Sequence, residues 1–467
     1  MTQNWQQLAE GYQDQYLADL KALIAIPSVR DDDNATDQYP LGEGPAKALQ
    51  QFLAFGERDG FVTKNLDNLA GYIEYGEGDE TLAILSHVDV MPAGAGWDTD
   101  PFQLTVKDGI AYGRGTSDDK GPGLAAYYGL KMLKDANIKP NIKIRLILGT
   151  DEESQWTGMT HYFEVEPAPT FGFSPDAEFP LINGEKGMAS FITTFGTTNG
   201  GDVELVSFDS GLRENMVPRD AEATLKTTNA EAISEQFETF VAANEIEGES
   251  ELSADGINLH VVGKAAHGME PRNGVNSGTY LATFLNQLGL QGDANSFVSF
   301  IADKLHDDSR ANKLGTNYTD DIMGDLTMNV GIMKFDQEAG GFINTNFRYP
   351  KGIGPKEIMA ALEKAVTALN GSVKQISEKV PHYVDPQDPI VQTLINVYRE
   401  QTGIADAEPE VVGGGTYGRL MKRGVAFGAL FPWTEDSMHQ ANEFQPVADL
   451  TKAMAIYGQA IHDLALQ

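Results

Sequence analysis

The chain has 467 residues, no cysteine, and 34 Lys plus Arg against 68 Asp plus Glu, a formal net charge of −34. The missing cysteines exclude a disulfide framework, a thiolate metal site and a cysteine nucleophile. Charge of this sign and size opposes phosphate backbones and anionic lipid, so neither nucleic acid nor a membrane surface is an expected partner.

Hydrophobic residues make up 41% and charged residues 22%, a globular composition. At roughly 150 residues per domain, two or three domains are expected. No apolar run approaches the ~18 residues of a membrane span. The opening Met1-Thr2-Gln3-Asn4-Trp5 is polar and lacks the features of a secretion signal, so a cytoplasmic location is expected.

Tyr16, Leu20, Leu23 and Ile24 have helical spacing, and Pro27 stops that helix. Thr81–Leu85 and Ile142–Leu148 are short apolar runs that read as buried strands. Gly123–Asn137 and Ile390–Gln401 read as helices. Gly424–Phe431 is a third apolar strand. Leu450, Met454, Tyr457, Ile461 and Leu464 mark a terminal helix. Between residues 185 and 381 the pattern changes to alternation. Ile257, Leu259 and Val261 share one side of a strand. Ile343, Thr345, Phe347 and Tyr349 share another, with Asn344, Asn346 and Arg348 opposite. That describes antiparallel strands with one open face. The expected organisation is an α/β catalytic domain (1–184 and 382–467) interrupted by an inserted α+β domain (185–381) of one or two compact units.

Acidic and histidine clusters follow the predicted strands, where open α/β sheets bind ligands. In Ser86-His87-Val88-Asp89, residues two apart point the same way, so Asp89 can orient His87 and leave one ring nitrogen for a metal. A surface histidine beside a solvated Asp fits that segment equally. Asp118-Asp119 lies among glycines and reads as a metal bridge or a polar turn. Asp151-Glu152-Glu153 follows a strand, and adjacent carboxylates there repel unless a cation or proton intervenes. Ser174-Pro175-Asp176 and Met438-His439 are weak signals alone. Together, His87, Asp118, Glu153, Asp176 and His439 suit two zinc-like or manganese ions roughly 3.5–4 Å apart, with Glu152 as the base.

These motifs, in this order, resemble the aminoacylase, glutamate carboxypeptidase and carnosinase superfamily of di-zinc hydrolases. Trp97-Asp98-Thr99-Asp100-Pro101-Phe102, Ser174-Pro175-Asp176-Ala177-Glu178, Asn215-Met216-Val217-Pro218 and His439-Gln440-Ala441-Asn442-Glu443 resemble its PepV-type dipeptidases. The resemblance implies a mixed-sheet catalytic domain with an inserted lid. It implies that His87 and Asp176 hold one metal, Glu153 and His439 the other, and that Asp118 bridges them ahead of a cis peptide. Asp89 would orient His87, and Glu152 would carry the proton. In the lid, Gly263-Lys264-Ala265-Ala266-His267-Gly268 resembles the motif whose histidine, here His267, donates to the oxyanion. Asn215 and Arg348 match substrate-binding positions, Arg348 as a clamp on the substrate carboxylate. Gly414 and Gly415, within Gly413-Gly414-Gly415-Thr416, match a backbone contact with substrate. The long insertion implies a monomer, with the lid histidine supplied in cis.

The function expected is a metal-dependent dipeptidase acting on small peptides with a free N-terminus. Two divalent ions are the expected cofactors, zinc first, with manganese or cobalt accepted by the same donors. An N-acyl amino acid deacylase of the same superfamily and a non-catalytic metal- or peptide-binding module are the alternatives.

Overall fold

The computed structural model describes residues 3–466, and they divide into two units. The first comprises the chain up to Gly184, Tyr383–Glu410, and the chain from Gly415 onward. The second comprises Glu185–His382 and Val411–Gly414.

The first unit is built on a mixed sheet. Strands Lys143–Gly149, Thr81–His87, Phe171–Ser174 and Gly424–Ala426 run parallel in that order across its centre. Ala70–Tyr75 and Val62–Leu66 extend it antiparallel from Lys143–Gly149. Successive residues of Thr81–His87 enter different cores. Leu82 and Ile84 pack with residues of the Trp5–Ile24, Lys120–Asp135 and Val447–Ala465 helices. Ala83 and Leu85 pack with Trp156, Met159, Tyr162 and Tyr417. A strand covered on both faces has no use for alternation, which explains its uninterrupted apolar run.

Two local expectations are corrected. The Gly424–Phe431 run is not one strand but two, Gly424–Ala426 and Ala429–Leu430, separated at Gly428, whose φ is 75°. The helix expected from Gly123 starts at Lys120. Its Gly-Pro-Gly opening is a close-packing device. A Cβ on Gly121 would stand 2.1 Å from the Thr116 carbonyl oxygen, and one on Gly123 would stand 2.0 Å from Ser86 Oγ. Among the described residues no helix is long and apolar enough to cross a membrane.

The second unit is a single α+β body. The eight strands of its main sheet are all antiparallel, in the order Glu247–Ser253, Gly256–Val262, Asp220–Thr227, Val203–Ser210, Thr327–Asp336, Gly340–Tyr349, Gly187–Phe195 and Ser372–Lys379. Ile257, Leu259, Val261, Ile343 and Phe347 join its core with residues of the Ala230–Ala243, Ser277–Leu285, Gly292–Phe300 and Pro355–Thr367 helices. The open face expected opposite Ile343–Tyr349 is not open. Asn344, Asn346 and Arg348 are buried, as their neighbours are. They form a polar layer instead. Asn344 Nδ2 donates to Glu214 Oε2 at 3.2 Å, and Asn346 Nδ2 to Ser190 Oγ at 2.8 Å.

Candidate metal centre

The parallel strands of the first unit deliver the candidate ligands from their carboxyl ends. His87 closes Thr81–His87, Glu152 and Glu153 follow Lys143–Gly149, and Asp176 follows Phe171–Ser174. Asp118 and His439 arrive on loops held side by side. The Ile110–Tyr112 strand leads into the Asp118 loop, and Phe444–Pro446 leaves the His439 loop. These two strands pair antiparallel, Tyr112 opposite Phe444.

The side chains converge in two groups, His87 with Glu152 and Asp176, and Asp118 with Glu153 and His439. Within each group, one donor atom per residue lies within 4.8 Å of the others. Asp118 faces both groups. Its Oδ1 is 2.9 Å from His87 Nε2, and its Oδ2 is 2.8 Å from His439 Nε2. Asp176 Oδ2 stands 3.5 Å from His87 Nε2, and Glu153 Oε1 stands 2.9 Å from His439 Nε2. The Asp118–Asp119 peptide is cis.

Asp89 touches both His87 and the segment that carries Glu152 and Glu153. His87 Nδ1 lies 3.0 Å from the Asp89 backbone oxygen and 3.3 Å from its Oδ1. A proton on Nδ1 leaves the Nε2 lone pair aimed at the ligand group. The Asp89 carboxylate also accepts the backbone N–H groups of Glu152 at 3.0 Å and Glu153 at 3.1 Å.

The electrostatics are those of crowded carboxylates. Burial and the neighbouring Asp118 push Glu153 up to about 8. Burial and Asp118 also raise Asp176. Burial opposes charge on His439, but Asp118 and Glu153 outweigh it and push the ring up to about 11. Burial would raise Asp118 as well, yet His439 and His87 hold it well below the ordinary range. Such a cluster favours bound positive charge. Two imidazoles and four carboxylates, with no sulfur, form a donor set that fits hard or borderline divalent cations.

Three carboxylates in the same motifs received no role from the sequence. Asp119 accepts Ser86 Oγ–H at 2.6 Å and His87 N–H at 3.2 Å. Asp151 accepts Thr157 N–H at 2.7 Å and Gly158 N–H at 2.9 Å, and pairs with Arg30 at 3.1 Å. Glu443 is buried within the Asp118 loop. The signal was present as an additional acid in each ligand motif. His462 is half-buried, with its ring 5.4 Å from that of Trp5.

The remaining site candidates lie elsewhere. In the second unit, Met216 pairs with His267 across a two-stranded ladder, and Gly268 N–H donates to the Asn215 carbonyl at 2.7 Å. His267 is exposed, and its Nδ1 accepts the Met269 N–H at 3.0 Å. The proton of the neutral ring is therefore on Nε2. Arg348 is not splayed in solvent. Its Nε donates to Asn346 Oδ1 at 3.0 Å and its Nη1 to the Gly413 carbonyl at 3.0 Å. Gly414 belongs to this unit and Gly415 to the first.

Residues 83–463 match the profile of "Peptidase family M20/M25/M40". A Staphylococcus haemolyticus protein named "Putative dipeptidase" is 43% identical, covering 99% of this chain and 100% of its own. A Staphylococcus aureus protein of the same name is 44% identical, again over 99% of this chain and 100% of its own. Human carnosine dipeptidase 1 has a similar fold, with a TM-score of 0.57 at 15% identity over 99% of both chains. So does the Saccharomyces cerevisiae dipeptidase Dug1p, with a TM-score of 0.57 at 14% identity over 98% of both. With its profile match spanning most of the sequence and its relatives aligned end to end, the chain belongs to peptidase family M20/M25/M40.

Proposed function

We propose that this chain is a metal-dependent dipeptidase that hydrolyses dipeptides with a free amino terminus. One observation carries the reading: Asp118 turns one oxygen to His87 and the other to His439, the disposition of a carboxylate shared by two cation sites. The dipeptidase names of the relatives that align with it end to end support the substrate class.

His87 and Asp176 would hold one divalent ion, Glu153 and His439 the other, with Asp118 common to both. A pair of such ions supplies Lewis acidity and an acidified water. Zinc is the proposed metal, and manganese and cobalt suit the same donors. Glu152, its backbone fixed by Asp89, takes the proton of the attacking water and delivers it to the leaving amine. His267 donates its Nε2–H to the developing oxyanion. Asn215, Arg348 and the Gly414-Gly415 backbone orient the peptide. The second unit serves as a lid for the reaction, and its length suits a monomer.

The deciding experiment compares metal-loaded protein on free-amine dipeptides and on N-acyl amino acids. Release of amino acids from the dipeptides, abolished by chelation and restored by zinc, is the expected result. Preference for N-acyl substrates would transfer the chain to the deacylases. Metal-replete protein that binds dipeptide without turnover would make it a binding module.

A further inference from the structure

Glu443 stands four residues after His439 and is fully buried. Its carboxylate fills the loop that carries Asp118. Oε1 accepts the backbone N–H groups of Gly115 at 3.0 Å, Ser117 at 2.8 Å and Asp118 at 3.1 Å. Oε2 accepts Gly115 N–H at 3.2 Å and Arg114 Nη1–H at 2.6 Å. The Glu443 carbonyl accepts Gly113 N–H at 3.0 Å. Gly115 has φ +96°, a conformation suited to glycine, and this lets the loop turn its amides inward. Arg114 also donates to the Pro92 carbonyl at 3.3 Å and lies 5.4 Å from the Trp97 ring centroid.

This arrangement costs energy as well as saving it. Burial disfavours a charged Glu443, and the adjacent Asp118 carboxylate repels it. A loop needing only to be filled is served better by a neutral side chain. What a carboxylate adds is several strong hydrogen bonds from one rigid group to both the loop backbone and Arg114. Those bonds join segments 325 to 329 residues apart. Two of the three members of the Asp118–Glu153–His439 group ride on the segments so joined. His87 and Asp176 come instead from strand ends held by the sheet.

We infer that Glu443 is a positioning residue that locks the Asp118 and His439 loops together and thereby governs the affinity of the Asp118–Glu153–His439 group for its cation, with a smaller effect on the His87–Asp176 side. The inference rests on reading the two groups as metal sites.

Calorimetric titration of metal-free protein with Zn²⁺, alongside thermal unfolding of the same samples, tests it. Wild-type protein is expected to take up two ions. Glu443→Gln is expected to bind one ion about 10–100-fold more weakly and the other with a distinctly smaller loss, while unfolding cooperatively. Arg114→Met leaves the amide cradle intact and is expected to weaken the same site by a smaller factor. This second variant decides the matter if Glu443→Gln does not fold. Wild-type binding of both ions by both variants, or equal weakening of both sites, overturns the inference. Wild-type protein that takes up no ion refutes the metal reading itself, a distinct result.

Discussion

The carboxylate of Asp89 accepts the backbone N–H of Glu152 at 3.0 Å across a sequence gap of 63 residues. The same side chain lies against His87 Nδ1. One buried anion thus sets both the ring of a candidate ligand and the approach of the candidate base. Asp89→Asn replaces one acceptor oxygen with an NH₂ that faces a donor. It is expected to lower turnover and to weaken metal binding about 10–100-fold. Steady-state kinetics and metal titration of the variant check this.

Glu152 belongs to the same group as His87 and Asp176, yet its proposed task is proton transfer. Glu152→Gln keeps its shape and removes its basicity. Turnover is expected to fall about 10²–10⁴-fold, with two ions still bound. Metal analysis of the variant beside its kcat separates a lost base from a lost ligand.

His267 receives the Met269 N–H on Nδ1, which puts the donating proton on the other nitrogen. His267→Ala is expected to reduce kcat about 10²–10³-fold, with dipeptide KM and metal content close to wild type. A variant that changes KM alone would limit His267 to substrate binding.

Much of this centre was legible in the sequence because its ligands follow strand ends, where an apolar run breaks into acids and histidines. His87, Glu153 and Asp176 are of this kind. The carboxylates behind them were harder to read. Asp119 and Asp151 look like second copies of their neighbours, and only the fold shows them bonded to backbone amides. Glu443 meets Arg114 across 329 residues, a distance no local pattern spans. Burial of Arg348 was hidden for another reason. Alternation of Asn344, Asn346 and Arg348 with apolar residues describes a polar face, and polar faces are usually wet. Here that face is filled by hydrogen-bonded side chains. The early start of the Lys120 helix was masked by glycines that ordinarily mark turns.

Those glycines make a packing prediction. Gly123→Ala would push a methyl group into Ser86 Oγ, 2.0 Å away, beside its bond to Asp119. The helix must shift, and a loss of about 1–3 kcal/mol is expected. Chemical denaturation of the metal-free protein measures it.

A pH prediction comes from the opposite end of that helix. Burial alone would raise Asp59, but Arg58, Tyr127 and Lys131 outweigh it and hold its pKa below the ordinary 3.8. The Tyr127 hydroxyl donates to it at 2.6 Å. The folded state therefore releases this proton more readily than the unfolded chain. Its stabilisation is present above about pH 4 and is lost as pH falls through the folded value. Asp59→Asn is expected to cost about 1.5–3 kcal/mol at neutral pH. The gap to wild type should narrow in acid, which urea midpoints at pH 7 and pH 3.5 will show.

The pairing of an early loop with a late one sets an order of events during synthesis. Until residues 439–446 have been added, the growing polypeptide lacks His439, Glu443 and the strand that braces the Asp118 turn. The Asp118–Glu153–His439 group therefore cannot form before that late segment has paired with the Asp118 loop.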